Sequence, residues 1–354
     1  MSLPPVEIPL GAMRFNSDSN KLEYWMGSAW MQIQTFSPNL DGGARGMYMG
    51  GVKNQQPNPV TTSEIDYYNI ASAGNASDFG DLTVNMYSGS TGNVASTTRG
   101  FVAGSSPNPG INTINRITFS STGSAADYGD MTNKRYVFSA HSNTTRGLFM
   151  GGYVHPGYNN AIDYITMATD GNAKDFGDMT SATGYGAGGG SPTRAFQFGG
   201  VNLQPNISML TIATLGDAVI FGGLSNPRQA APSGVSNSTR VLIGGGNLHP
   251  SNSKTSDVEL YLSASGGNSV SFGNLTASKS YGLGGAGDQV RATFAGGYTP
   301  SQINTIDYLS FATGGQAVDF GDLNNVVRGG MGASNAHGGL GSVSYTHLTL
   351  PTKA

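Results

Sequence analysis

Residues 145–152 read TRGLFMGG, and the phrase returns as ARGMYMGG, TRGFVAGS, TRAFQFGG, TRVLIGGG and VRATFAGG. Its arginines are Arg45, Arg99, Arg146, Arg194, Arg240 and Arg291, so successive copies lie 54, 47, 48, 46 and 51 residues apart. A second marker, DFGDMT at 175–180, recurs around Phe79, Tyr128, Phe176, Phe221, Phe272 and Phe320. A third, IDYITMAT from Ile162, recurs at Ile65, Ile114, Ile207, Val258 and Ile306. Three markers that keep one phase six times define a repeat, and a repeat of this length is one supersecondary unit that buries its apolar faces against its neighbours.

Each unit reads as four short strands. Leu148, Phe149 and Met150 form an apolar run closed by Gly151-Gly152. From Ile162 to Thr166, Ile162, Tyr164 and Thr166 alternate with Asp163 and Ile165 at the strand period of two. Asp170-Gly171-Asn172 is a tight-turn signal, because Gly and Asn tolerate positive φ. Residues 173–179 return as the next strand, and a small-residue strand follows, as in GYGAGGG at 184–190. Four strands per repeat predict an all-β, six-bladed β-propeller, with seven blades as the alternative. Strands nearest the axis have least room, which accounts for their Gly, Ala and Ser. The last such strand, 328–335, has no following repeat and is expected to pair with the strand at Arg45, leaving no free edge.

The double glycine after the second strand and the tyrosines Tyr67, Tyr164 and Tyr308 resemble kelch repeats. The kelch tryptophan is replaced by the Phe or Tyr of the FGD marker, and the second copy has Gly104-Ser105 in place of a glycine pair. The kelch-like resemblance covers residues 41–341. Residues 1–40 do not fit the repeat; GAMRFNSDSNKLEYWMGSAWMQI reads as three short strands, carries Trp25 and Trp30, and resembles hairpin modules near the start of phage fibre and structural proteins. Residues 343–352, VSYTHLTLPT, resemble a translated sequencing adapter, so 342–354 are expected to be a non-native tail and His347 to have no role. The resemblance to kelch-like propellers of tailed bacteriophages implies a virion structural or host-recognition module. Its expected partners are other virion proteins and host cell-surface glycan, and its expected location is the virion. The alternative is a bacterial kelch-type interaction or adhesion protein.

Composition agrees with this class. Charged residues make up 11% of the 354 residues, glycine numbers 54, and the net charge is −3 without a basic stripe, so nucleic acid is not an expected partner. With no cysteine, disulfides and thiolate metal sites are excluded. No run approaches the ~18 apolar residues of a membrane helix, so insertion is not expected. The start has neither the basic nor the apolar region of a signal peptide, and none is expected.

Apparent catalytic motifs fail their context. Asp78-Phe79-Gly80, Asp175-Phe176-Gly177 and Asp319-Phe320-Gly321 spell the kinase magnesium motif, but they recur in phase and lack its partners. GYGAGG at 184–189 and GLGGAG at 282–287 match a dinucleotide fingerprint without a helix to follow. The histidines show no metal-ligand spacing. No catalytic, cofactor-binding or metal residue is assigned, and the chain is not expected to be an enzyme; a glycan-active enzyme would need a converging carboxylate pair. The repeated arginines sit at equivalent positions, which points to architecture, for example pairing with the acidic FGD strand. That idea is strained at Ile220-Phe221-Gly222-Gly223 and Ser271-Phe272-Gly273-Asn274, which lack carboxylates.

What varies between copies is the loop between second and third strands, at 51–64, 105–113, 152–161, 200–206, 246–257 and 297–305. Equivalent loops emerge on one face of a propeller. Their Pro, Asn, Gln, Tyr and His suit an uncharged polar ligand such as a glycan, with Tyr153, His155, Tyr158, His249 and Tyr298 as the expected contacts.

Overall fold

The computed structural model describes residues 8–16, 21–32, 44–53, 60–106, 110–202, 205–230 and 232–340. The chain is all-β: every regular element among the described residues is a strand except one 3-10 turn at Gly338–Leu340. It divides into two compact units, Met1–Gly43 and Ala44–Ala354. The expected tail, 342–354, and His347 lie outside the described residues.

In the first unit Met13–Asn16, Lys21–Trp25 and Trp30–Gln32 form a three-stranded antiparallel sheet. A sheet this small has little interior, so cross-strand pairs are its main stabilising contacts. Trp25 and Trp30 stand opposite each other with ring centroids 5.4 Å apart. The Arg14 guanidinium lies 4.2 Å from the Trp30 ring and binds Glu23 at 2.8 Å.

The second unit holds the repeats. In the third, Phe138–Ser142, Arg146–Met150, Ala161–Thr166 and Lys174–Asp178 lie side by side in chain order, all antiparallel. Both faces of Arg146–Met150 are covered. Leu148 and Met150 enter a core with Leu210 and Ile212 of the fourth repeat, and Phe149 enters one with Phe101 and Tyr128 of the second. A strand buried on both faces needs no polar alternation, which is why the marker is a continuous apolar run.

The FGD strand carries a bulge. Ile162 faces Gly177 while Asp163 faces Asp175, so Phe176 is the extra residue; its ring is buried while Asp175 and Asp178 are exposed. The same irregularity recurs opposite Ile65, Ile114, Ile207, Val258 and Ile306. The second repeat departs from the four-strand pattern: its small-residue segment is regular only at Ser90–Thr91, which pairs in parallel with Phe138–Ser142. Gly92, at φ +119°, breaks the extended run there.

The first repeat is completed from the far end of the chain. Met331–Ser334 pairs antiparallel with Arg45–Met49, Met331 opposite Met49 and Ser334 opposite Gly46. The remaining cores also lie between successive sheets: first with second, fourth with fifth, fifth with sixth, and sixth with first, where Tyr48 and Tyr68 meet Ile306 and Phe320.

The repeated arginines do not pair with the FGD carboxylates. Each donates to main-chain carbonyls at the end of the next repeat's third strand: Arg45 to Phe119, Arg99 to Met167, Arg146 to Ile212, Arg194 to Ser263, Arg240 to Phe311, and Arg291 back to Ile70. Carbonyl acceptors belong to the backbone, so the bond survives where the fourth and fifth markers lose their acids. A second link runs the other way. The residue after the buried hydrophobe of each third strand is bound by the preceding repeat: Asn115 by Thr83, Asp163 by Thr132, Ser208 by Thr180, Glu259 by Ser225, Asp307 by Thr276, and Asp66 by Asn324. Both chains of bonds pass through six repeats and return to the first.

Candidate ligand-binding face

Glycine pairs turn the chain out of the second strand in five of the six repeats. Gly151 and Gly152 have φ of +67° and +105°, a region in which side chains are strained, and an added Cβ at Gly151 would meet the Thr183 carbonyl oxygen at 2.7 Å. Beyond them Tyr153–Val154 folds back on Gly157–Tyr158 as a small hairpin.

Next to these loops, the segments entering the small-residue strands have a residue of positive φ at one equivalent position. These are Ser88, Val137, Tyr185, Ala230, Tyr281 and Gly329, with φ between +50° and +70°. For a β-branched residue such as Val137 this is a true outlier that the surroundings must enforce. The enforcement is visible as a belt of backbone bonds. Val137 N donates to Ser88 O at 2.8 Å, Tyr185 N to Val137 O at 2.8 Å, Tyr281 N to Ala230 O at 3.0 Å, Gly329 N to Tyr281 O at 2.9 Å, and Ser88 N to Gly329 O at 2.7 Å.

Tyrosines converge on this belt. Tyr136 lies 5.3 Å from Tyr153, whose ring is 5.4 Å from Tyr158; Tyr281 lies 6.0 Å from Tyr298. Tyr185 stands on the same belt, its N–H donating to Val137 O. Burial first, and then its neighbours Tyr158, Tyr136, Tyr87 and Tyr281, push its phenol up to about 12, so it stays protonated through the neutral range. Tyr136 and Tyr158 are raised for the same leading reason, burial. All seven rings are half-buried. The face therefore offers neutral hydroxyls, each able to donate and accept, beside partly open aromatic surfaces.

Of the five residues expected from the loops, Tyr153 and Tyr158 stand together and Tyr298 stands beside Tyr281. His155 and His249 are exposed at the turns of their loops, each followed by a proline. Sequence reasoning missed Tyr87, Tyr136, Tyr185 and Tyr281, which lie on the segments leading into the small-residue strands. A signal for them exists: a tyrosine stands within one residue of the same position in MYS, RYV, GYG and SYG at 86–88, 135–137, 184–186 and 280–282. Among the described residues no group of three or more His, Asp or Glu could hold a metal ion, and no helix is long and apolar enough to cross a membrane. No protein-family model matches the chain, and no curated protein matches it.

Proposed function

We propose that the six repeats are the blades of a kelch-like β-propeller, and that the protein is a tailed-bacteriophage virion module that recognises host cell-surface glycan through its tyrosine face. The two cycles of inter-repeat bonds, and the pairing of Met331–Ser334 with Arg45–Met49, support six blades over seven. The virion setting follows from the resemblance of the N-terminal strands to fibre modules and of the repeat to phage kelch-like proteins. Other virion proteins are then its second class of partner.

The observation that carries the glycan reading is the gathering of half-buried tyrosines along one belt, Tyr136 with Tyr153 and Tyr158, and Tyr281 with Tyr298. A phenol stacks its apolar face on the C–H groups of a sugar ring while its hydroxyl bonds to the sugar's own, and its two side-chain torsions leave little entropy to lose on binding. The test is retention of polysaccharide from a susceptible host surface by the purified chain. The combined variant Tyr153→Ala, His155→Ala, Tyr158→Ala, His249→Ala and Tyr298→Ala is expected to lose retention with its circular dichroism unchanged. Undiminished retention in a folded variant removes this face as the site. No retention by the parent protein replaces recognition with a purely structural role in the particle.

A further inference from the structure

The Tyr281–Tyr298 side of the face differs from the Tyr136–Tyr153–Tyr158 side in carrying two cations. The Arg328 guanidinium lies 5.1 Å from the Tyr298 ring centroid and 6.0 Å from that of Tyr281. Lys254 Nζ lies 4.6 Å from the Tyr298 centroid. Neither side chain makes an ion pair or hydrogen bond among the described residues, and Arg328 Nε is buried without a partner. The protein treats its other deeply placed cations differently. Arg135, Arg228 and Lys279 each face a carboxylate, Asp163, Glu259 and Asp307, at 3.0, 2.7 and 3.0 Å. Two half-buried cations converging on one tyrosine repel each other, and ring faces only partly replace the anion or water that each charge calls for.

The framework around them is fixed. Gly329 N donates to Tyr281 O at 2.9 Å, and Gly297 N donates to Val327 O at 3.0 Å, so the residues flanking Arg328 are tied to those that carry the two rings. Ser280 and Tyr298 exchange backbone bonds at 3.0 and 2.9 Å, and Gln302 bridges to Tyr298. Ser280 Oγ and Gln302 Oε1 are both buried and have no partner. Unused hydrogen-bonding capacity thus lies on two residues whose backbones pair with Tyr298.

We infer that this side of the face is a subsite for the carboxylate of an acidic sugar, with Arg328 and Lys254 as its anion-binding groups; the inference rests on the glycan reading above. The planar guanidinium presents paired N–H donors that match a carboxylate, Lys254 adds a second positive charge, and the tyrosine rings hold the sugar body. The seven-tyrosine face then has a polarity: neutral residues of the glycan lie toward Tyr153 and Tyr158, and the acidic residue lies at Tyr298.

The test is a printed set of oligosaccharides containing uronic acid, sialic acid or only neutral sugars, each acidic member also spotted in carboxyl-reduced form. Parent protein is expected to hold acidic members more tightly than their reduced counterparts, the difference shrinking as salt is raised. Arg328→Gln and Lys254→Gln are each expected to weaken acidic members about tenfold, the change expected for one charge-assisted hydrogen bond, and to leave neutral members unchanged. The Lys254 side chain is half-buried and makes no hydrogen bond among the described residues, so its variant serves if Arg328→Gln lowers the melting temperature. Equal binding of acidic and reduced members, unchanged in both variants, overturns the subsite and leaves glycan recognition standing. Binding of no member of either class overturns the subsite together with the glycan reading.

Discussion

At the scale of single residues, the buried ionisable groups set measurable costs. The Asp163 carboxylate accepts from Thr132 N and Oγ1 at 2.9 and 2.7 Å and faces Arg135 at 3.0 Å, with both side chains essentially unexposed. Burial depresses the Arg135 pKa, and Asp163 opposes the shift. Asp163→Ala strands that charge and is expected to cost about 3–5 kcal/mol in urea unfolding. Asp170→Ala removes the partner of Arg116 at 2.7 Å, but Asp170 is half exposed, and a loss below about 1 kcal/mol is expected. Comparable losses for the two would contradict the assigned burial. His141 and His337 provide a pH prediction. Burial pushes His141 down to about 3 and His337 down to about 4. His337 Nε2 lies 3.0 Å from Ala95 O, and Gly339 N donates to its Nδ1 at 3.1 Å, so a second ring proton would point at a donor. With folded values below the ordinary histidine value of 6.5, the unfolded chain binds more protons. Their contribution is therefore complete above that value and is lost as pH falls from 6.5 toward 4, by about 1.4 kcal/mol per pH unit per histidine. Thermal melts across this range should steepen accordingly, and His337→Gln should flatten the acid limb; an unchanged slope would show that His337 does not titrate differently on folding.

At the scale of elements, the FGD marker is a docking surface between sheets. Gly177, at φ +147°, lies against the turn glycine of the next repeat, and an added Cβ would meet Gly216 O at 2.5 Å. Gly216 N donates to Phe176 O at 2.9 Å, and the same approach joins Gly80 to Gly123, Gly129 to Gly171, and Gly321 to Gly74. Gly171, at φ +146°, has open space on its own Cβ side. Gly171→Ala carries backbone strain alone and is expected to cost about 1–3 kcal/mol; Gly177→Ala adds a backbone collision and is expected to cost more, because two sheets must separate to admit it. Chemical denaturation of the two variants side by side decides this, and the reverse order would show that the marker is not a close-packed contact. The magnesium-motif spelling thus has a steric origin: Gly permits the approach, the bulged Phe fills the core, and the acids lie outside it.

At the scale of the whole repeat unit, each sheet shares its two cores with the sheets before and after, and the sixth shares one with the first. No repeat holds an apolar interior to itself, so partial unfolding exposes two cores at once. Calorimetry is expected to give one transition for residues 44–341. A chain ended at Gly330 loses Met331–Ser334, which covers the Arg45–Met49 strand, and with it the Asn335 side chain bound to Arg45 N at 2.8 Å and the His337 contacts. Such a chain is expected to lose the cooperative transition altogether. If it melts like the parent, the terminal strand is an accessory and not the closure of the first sheet.

Much of this was legible in residue order, because local chemistry writes it. The all-β class, the phase of six units and the terminal strand that completes the first sheet all follow from apolar runs, Gly-rich turns and alternation, each decided by residues within one repeat. The loop tyrosines Tyr153, Tyr158 and Tyr298 are legible in the same way, as aromatic residues of the variable loops. The arginine bonds were not, since their acceptors are main-chain carbonyls, which every residue has and no sequence marks. Nor was the tyrosine belt. Tyr185 sits in a run of glycines that reads as a tight strand, and only the left-handed kink held by its neighbours' backbones sets it on the same belt as Tyr136 and Tyr281. Residue order determined which strands form and which faces they bury; the approach of sheets distant in sequence decided which polar groups meet, because that approach depends on backbone positions common to all side chains.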